Sequence, residues 1–283
     1  MLSKLKTFFE LIKFEHTVFA LPFAYMGMML ARRVWPPFGV FFWVTLAMVG
    51  ARTAGMALNR VIDVKIDARN PRTSHRATVT GEIPVPNALA FAAASILIFF
   101  IAAWQLNPLC LRFSPFALVL LCTYHYVKRF SFLCHFVLGL VLAIAPVGGW
   151  LAVTGVFSWL PVVLAAAVLF WTAGFDILYS LQDIDFDKTY GLHSVPVAFG
   201  QKAALQVSVY CHVATVVFLA IFGLWDGLGI LYWIGAGLVA GLLWFEHSLV
   251  ADGDLSKVNT AFFTVNGWVG ILLLIFTFLE IFR

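Results

Sequence analysis

Charge is scarce in this sequence. Asp, Glu, Lys and Arg make up 11 % of its 283 residues, whereas a soluble domain carries roughly 25 %. A water-covered globule is therefore excluded. Cysteine is scarce too: Cys110, Cys122, Cys134 and Cys211 lie scattered through apolar segments with no CxxC pair, which excludes a disulfide framework and a thiolate metal site. They read as small buried hydrophobes. No compact basic domain with stacking aromatics is present, so no nucleic-acid partner is expected. The first apolar stretch has no small-residue cleavage site, and the segment before it, MLSKLKTFFELIKFEH, is too long and aromatic for a signal n-region. It reads as an amphipathic entry helix.

What is present is apolar: 62 % hydrophobic residues with a mean hydropathy of +0.95. A spanning helix needs about 20 such residues. Suitable stretches fall near 16–31, 38–58, 86–104, 113–127, 132–153, 159–182, 204–224, 228–247 and 260–282, which predicts an all-α polytopic membrane protein of nine transmembrane helices. The runs are continuously apolar and do not alternate, so a transmembrane barrel is excluded. With nine alternating helices, thirteen of the eighteen Lys and Arg residues fall on the side of the N-terminus. The positive-inside rule then places the N-terminus and the loops after helices two, four, six and eight in the cytoplasm. Cations that only fix topology account for the N-terminal lysines, but not for the pattern of acids beside the others.

In GMALNRVIDVKID, Asn59, Asp63 and Asp67 recur every four residues, which on a helix stacks them along one face about 6 Å apart. A second series, Asp176, Ser180, Asp183 and Asp187, lies in GFDILYSLQDIDFDK at the end of helix six. Carboxylates at the mouth of a membrane bundle are costly and tend to be functional. Lone Lys or Arg partners would be the ordinary compensation. Two series built from carboxylate and amide oxygens point instead to a hard cation such as Mg²⁺, which takes few carboxylates together with substrate phosphates. Arg72, Arg76 and Lys128 follow in the adjoining loops and suit phosphate oxygens. This is the charge set that ionisation of an allylic diphosphate requires: cations hold the leaving group, and an apolar, aromatic chamber shelters the carbocation.

These residues resemble the UbiA superfamily of intramembrane aromatic prenyltransferases. Three motifs carry the likeness over nearly the whole chain: NxxxDxxxD at Asn59, Asp63 and Asp67; YxxxK at Tyr124 and Lys128; and Asp176, Asp183 and Asp187. The resemblance implies one membrane domain over 1–283, a helix bundle around a central cavity open to the cytoplasmic side. It implies Mg²⁺ held by Asn59, Asp63, Asp67, Asp183 and Asp187, and a prenyl diphosphate neutralised by Arg72, Arg76 and Lys128 with Tyr124 alongside. An electron-rich aromatic carbon then attacks the allylic cation. Many members carry Asp after the first Asn; here Arg60 stands there, expected to point off the ligand face and, like Lys65, into water.

Arg52 lies seven residues before Asn59, as Asp176 does before Asp183. An ion pair between the two is one expectation; the other is that Arg52 receives an acceptor carboxylate while Asp176 orients or deprotonates a ring hydroxyl. His135 reads as a helix-entry residue bonded to backbone, His16 as an interfacial residue, and His75, His125 and His193 have no assigned role. The small residues of APVGGW suit close helix approach. NPRTSHR, CHFVLGL and DIDFDKTYGLHSVP look most like the 4-hydroxybenzoate polyprenyltransferases of ubiquinone biosynthesis, and like relatives that prenylate a dihydroxynaphthoate in an alternative menaquinone route. The implied partners are a polyprenyl diphosphate, an aromatic acid and the lipid bilayer of the cell inner (plasma) membrane, with no obligatory protein partner. A transporter is the rival from another class, but it predicts acids at the membrane midplane.

Overall fold

The computed structural model describes residues 17–250, 258 and 264–283. The expected entry helix, His16 and part of the last apolar stretch lie outside these residues. The chain is all helix among the described residues: α1 Thr17–Leu30, α2 Phe38–Ile62, α3 Val64–Asp67, α4 Ala77–Thr80, α5 Val85–Leu106, α6 Pro108–Val127, α7 Cys134–Thr154, α8 Leu160–Ser180, α9 Ile184–Thr189, α10 Val195–Trp225, α11 Ile230–Ser248 and α12 Asn266–Ile281. Seven of the described helices are long and apolar enough to cross a membrane, and the shorter apolar α1 and α12 complete counterparts for all nine predicted stretches. The bilayer dictates this choice, because a helix satisfies its backbone hydrogen bonds within itself.

The chain divides into two compact units. One contains Phe38–His125, the other Val18–Pro37 and Tyr126–Arg283. In the first unit α2 packs on α5 through small residues: Ala54, Ala57, Ala88 and Ala92 are buried, and a Cβ on Gly50 would press on the Ser95 carbonyl. Lipid tails give apolar helices no hydrophobic reason to associate, so such close backbone approach is what binds them.

The second unit packs α7, α8 and α10 in sequence, with α11 against α12. Its α1–α7 crossing is the tightest: a Cβ on Gly149 would collide with the Ala24 carbonyl, and one on Gly27 with that of Pro146. The APVGGW expectation of close approach is met there. Polar residues are buried in this unit as well, and three of them are bonded to one another. Trp171 Nε1 donates to Asn266 Oδ1 at 2.6 Å, and Asn266 Nδ2 to Glu246 Oε1 at 2.7 Å, all three wholly out of solvent. A carboxylate sealed in this way links α8, α11 and α12.

Candidate active site

Two aspartates interrupt helices with nearly the same backbone. Asp63, between α2 and α3, has φ −97° and ψ 4°. Asp183, in the 3₁₀ turn Leu181–Asp183 that precedes α9, has φ −107° and ψ 7°. Both lie in the sparsely allowed bridge region where many active-site residues sit. The four-residue register survives the first break, because Asp63 N still donates to the Asn59 carbonyl and Asp67 N to that of Asp63. The spacing read from the sequence therefore holds on a helix that is interrupted at its central acid.

At the first break, Asn59 Nδ2 donates both to Asp63 Oδ2 and to His125 Nδ1, each at 3.2 Å. Asn59 Oδ1 accepts from Arg60 Nη1 at 3.2 Å. Arg60 is only 4 % exposed, which corrects the expectation that it faces water: its guanidinium turns back to the Asn59 amide, and its carbonyl accepts from Thr78 Oγ1 at 3.5 Å. Lys65 does stand in solvent. Asp67 Oδ2 is paired with Arg76 Nη1 at 2.6 Å. The loop that returns Arg76 is built locally: Asn70 Oδ1 accepts from Arg72 N at 2.9 Å, the short-range turn that Asn favours, and Thr73 Oγ1 donates to the Asp67 carbonyl at 3.1 Å. The Tyr124 ring lies against His125, centroids 3.8 Å apart. Arg52 sits in the same unit with its Nε buried and without a hydrogen-bond partner among the described residues.

At the second break Asp183 and Asp187 are half-exposed and Asp185 is exposed. Ser180 is satisfied by the Ile177 carbonyl at 2.8 Å. The following sequence GLHSVP explains itself as a stop and a start. Gly191 takes φ +66° just past α9, a left-handed helix stop open to glycine at no steric cost. Ser194 caps α10 by accepting from Val197 N at 3.4 Å, and Pro196 fills its first turn. This loop is held at several points: Leu192 N donates to the Asp187 carbonyl of α9 at 2.9 Å, and His193 N to that of Lys128, in the segment that leads into α7, at 2.7 Å. Cys134 Sγ donates to the His193 carbonyl at 3.5 Å. Asp176 Oδ2 lies in hydrogen-bond contact with His135 Nδ1 at 2.7 Å.

The first unit thus brings Asn59, Asp63, Asp67 and Arg76 together, and the second ties the backbones of Lys128 and Asp187 through one loop. The contacts of His125 with Asn59 and of His135 with Asp176 are what sequence reasoning did not supply. They span 66 and 41 residues, and no local spacing signals them. Among the described residues, no three His, Cys, Asp or Glu side chains converge to hold a metal on their own. The available donors are carboxylate and amide oxygens in small sets. That chemistry fits a hard cation which keeps positions for phosphate oxygens and water.

Residues 20–268 match the UbiA prenyltransferase family. A 4-hydroxybenzoate octaprenyltransferase from Tolumonas auensis is 32 % identical over 84 % of this chain and 82 % of its own length. The apo structure of a UbiA homologue from Aeropyrum pernix K1 superimposes with a TM-score of 0.84 at 36 % identity, covering 92 % of this chain and 95 % of that one. A UbiA homologue from Archaeoglobus fulgidus bound to DMAPP and Mg²⁺ shares the fold, with a TM-score of 0.76 at 20 % identity over 97 % and 99 % of the two chains. Its motifs, its helices and these likenesses agree that the chain belongs to the UbiA prenyltransferase family.

Proposed function

We propose that this enzyme transfers a polyprenyl group from a polyprenyl diphosphate to 4-hydroxybenzoate with release of diphosphate, a step of respiratory quinone biosynthesis at the inner membrane. The observation that carries the reading is the pair of interrupted helices, each presenting an aspartate on the same unusual backbone four residues before a second one. Asn59, Asp63 and Asp67, with Asp183 and Asp187, are the proposed Mg²⁺ ligands. The metal, when bound, supplies charge stabilisation for the leaving diphosphate. Arg72 and Lys128 neutralise phosphate oxygens beside it, and Arg76 does so by exchanging its Asp67 partner for phosphate. Tyr124 stands alongside.

The allylic C–O bond breaks with its electron pair on the diphosphate; a ring carbon ortho to the hydroxyl forms the new C–C bond and then loses its proton. Arg52 receives the acceptor carboxylate. Its buried Nε, without a hydrogen-bond partner among the described residues, is what such an anion would satisfy, since an unpaired buried donor costs about 1–3 kcal/mol. Asp176 accepts from the ring hydroxyl and so raises the electron density of the ring. The N-terminus and these loops are assigned to the cytoplasm by the bias of Lys and Arg.

The test is product analysis by mass spectrometry. Purified protein receives Mg²⁺, polyprenyl diphosphates of several lengths, and 4-hydroxybenzoate in competition with a dihydroxynaphthoate. Prenylated 4-hydroxybenzoate that disappears with EDTA is the expected result. Product on the naphthoate alone overturns the acceptor, and no product with either acid overturns the reading.

A further inference from the structure

His135 is nearly closed to solvent, with a side chain 3 % exposed, while the carboxylate it contacts is 25 % exposed. Its two ring nitrogens have different partners. Nε2 faces the backbone N–H of Val195 at 3.3 Å, and Nδ1 faces Asp176 Oδ2 at 2.7 Å. A backbone N–H can only donate. Nε2 must therefore accept, and the ring proton belongs on Nδ1, where it donates to the carboxylate. The tautomer is thereby fixed by the fold. Val195 is the first residue of α10, so its N–H is one of those a helix start leaves without an internal partner. The imidazole fills that need and passes the positive end of the helix on to Asp176.

From this relay of backbone N–H, imidazole and carboxylate we infer that His135 is a positioning residue for the acceptor. It occupies Oδ2 of Asp176 and leaves Oδ1 to take the hydroxyl of an aromatic acceptor. The ring itself touches neither substrate nor metal. Three long-range elements converge on the one side chain: α7 supplies the histidine, α8 the carboxylate and α10 the backbone donor. Rotating the imidazole would break both contacts at once, so the carboxylate plane is held. Orientation of this kind is how a supporting side chain acts on chemistry it does not join. The inference deepens the proposed function and rests on the role given there to Asp176.

Two isosteric substitutions divide the imidazole. Asn places an amide donor near the Nδ1 position and can restore the bond to Asp176, while losing the contact with Val195. Gln places an oxygen near the Nε2 position, keeping the Val195 contact and losing the donor to Asp176. Steady-state kinetics with 4-hydroxybenzoate varied should show kcat/KM falling roughly 10- to 100-fold in H135Q, with the KM for polyprenyl diphosphate unchanged. H135N should keep activity within about fivefold of the parent. If H135N is as impaired as H135Q or worse, the histidine serves to anchor α10 and the inference is overturned; it is equally overturned if H135Q is undiminished. A cycle with D176N does not depend on H135N folding. D176N alone should lose roughly 10²- to 10⁴-fold, and H135Q added to it should cost less than about twofold more, because its target is already gone. An equal cost of H135Q in both backgrounds overturns the inference and leaves Asp176 in its role. Full activity of D176N overturns the role of Asp176 itself.

Discussion

Asp63 and Asp183 occupy almost the same backbone conformation, each four residues before a second aspartate, yet they stand in different surroundings. The first pair is closed: Asp63 is 1 % and Asp67 4 % exposed, with Asn59 on one carboxylate and Arg76 on the other. The second pair is half-open at the end of α8 and on α9. A buried carboxylate must bring its own compensation, because removing charge from water costs several kcal/mol per ion. One at the rim can rely on solvent until a ligand arrives. The first pair is thus ordered by its own side chains, whereas the second is left more open to solvent.

If the two breaks serve one reaction, the largest effect is shared. Asp63→Ala and Asp183→Ala should each lower kcat by about 10²- to 10³-fold, the scale of removing one group that stabilises transition-state charge. Prenyl transfer measured at saturating Mg²⁺ checks this. A large loss in one variant and none in the other would break the equivalence.

Stability should separate what activity unites. Asp67→Ala leaves Arg76 without its partner and should cost about 3 kcal/mol, the low end for breaking a buried pair because Arg76 is part-open. Asp187→Ala should stay within about 0.5 kcal/mol. Unfolding in mixed micelles would show this. Arg76→Met, combined with Asp67→Ala, should recover most of the lost stability, since the double change leaves no unpaired charge. Full additivity of the two costs would show that the 2.6 Å contact is not what compensates Asp67.

How much of this was legible beforehand follows the range of the interactions. Periodicity along one helix is a local property, so Asn59, Asp63 and Asp67 could be read from spacing, and so could the apolar stretches. Arg60 could not, because its surroundings are tertiary: Thr78, eighteen residues on, reaches its backbone carbonyl. Spacing alone assigned it to water. His135 was half-legible: a histidine at the entry of an apolar helix needs a backbone partner, and it has one, but the carboxylate on α8 comes from tertiary packing. The helix breaks were illegible for another reason. No proline or glycine marks Asp63 or Asp183, and the four-residue pattern reads the same whether the helix runs straight or is interrupted.

The smallest effect concerns a carboxylate distant in sequence from both motifs. Asp226 follows α10 and meets Arg33, Oδ1 to Nη2 at 3.1 Å, with the arginine half in solvent. Burial pushes the Asp226 carboxyl above its ordinary value of 3.8, and the hydrogen bond and charge of Arg33 pull only part of the way back. The folded state therefore binds this proton more readily than the unfolded chain does. The resulting stability is fully present below the unfolded value and is lost as pH rises through the folded one. Asp226→Asn, which cannot ionise, should escape that loss. Its unfolding midpoint, compared with that of the parent, should improve as pH rises from about 4 and level off once pH has passed the folded value. A gap that is flat with pH, or that closes, would show that Arg33 compensates the buried charge in full, as Arg76 is held to do for Asp67.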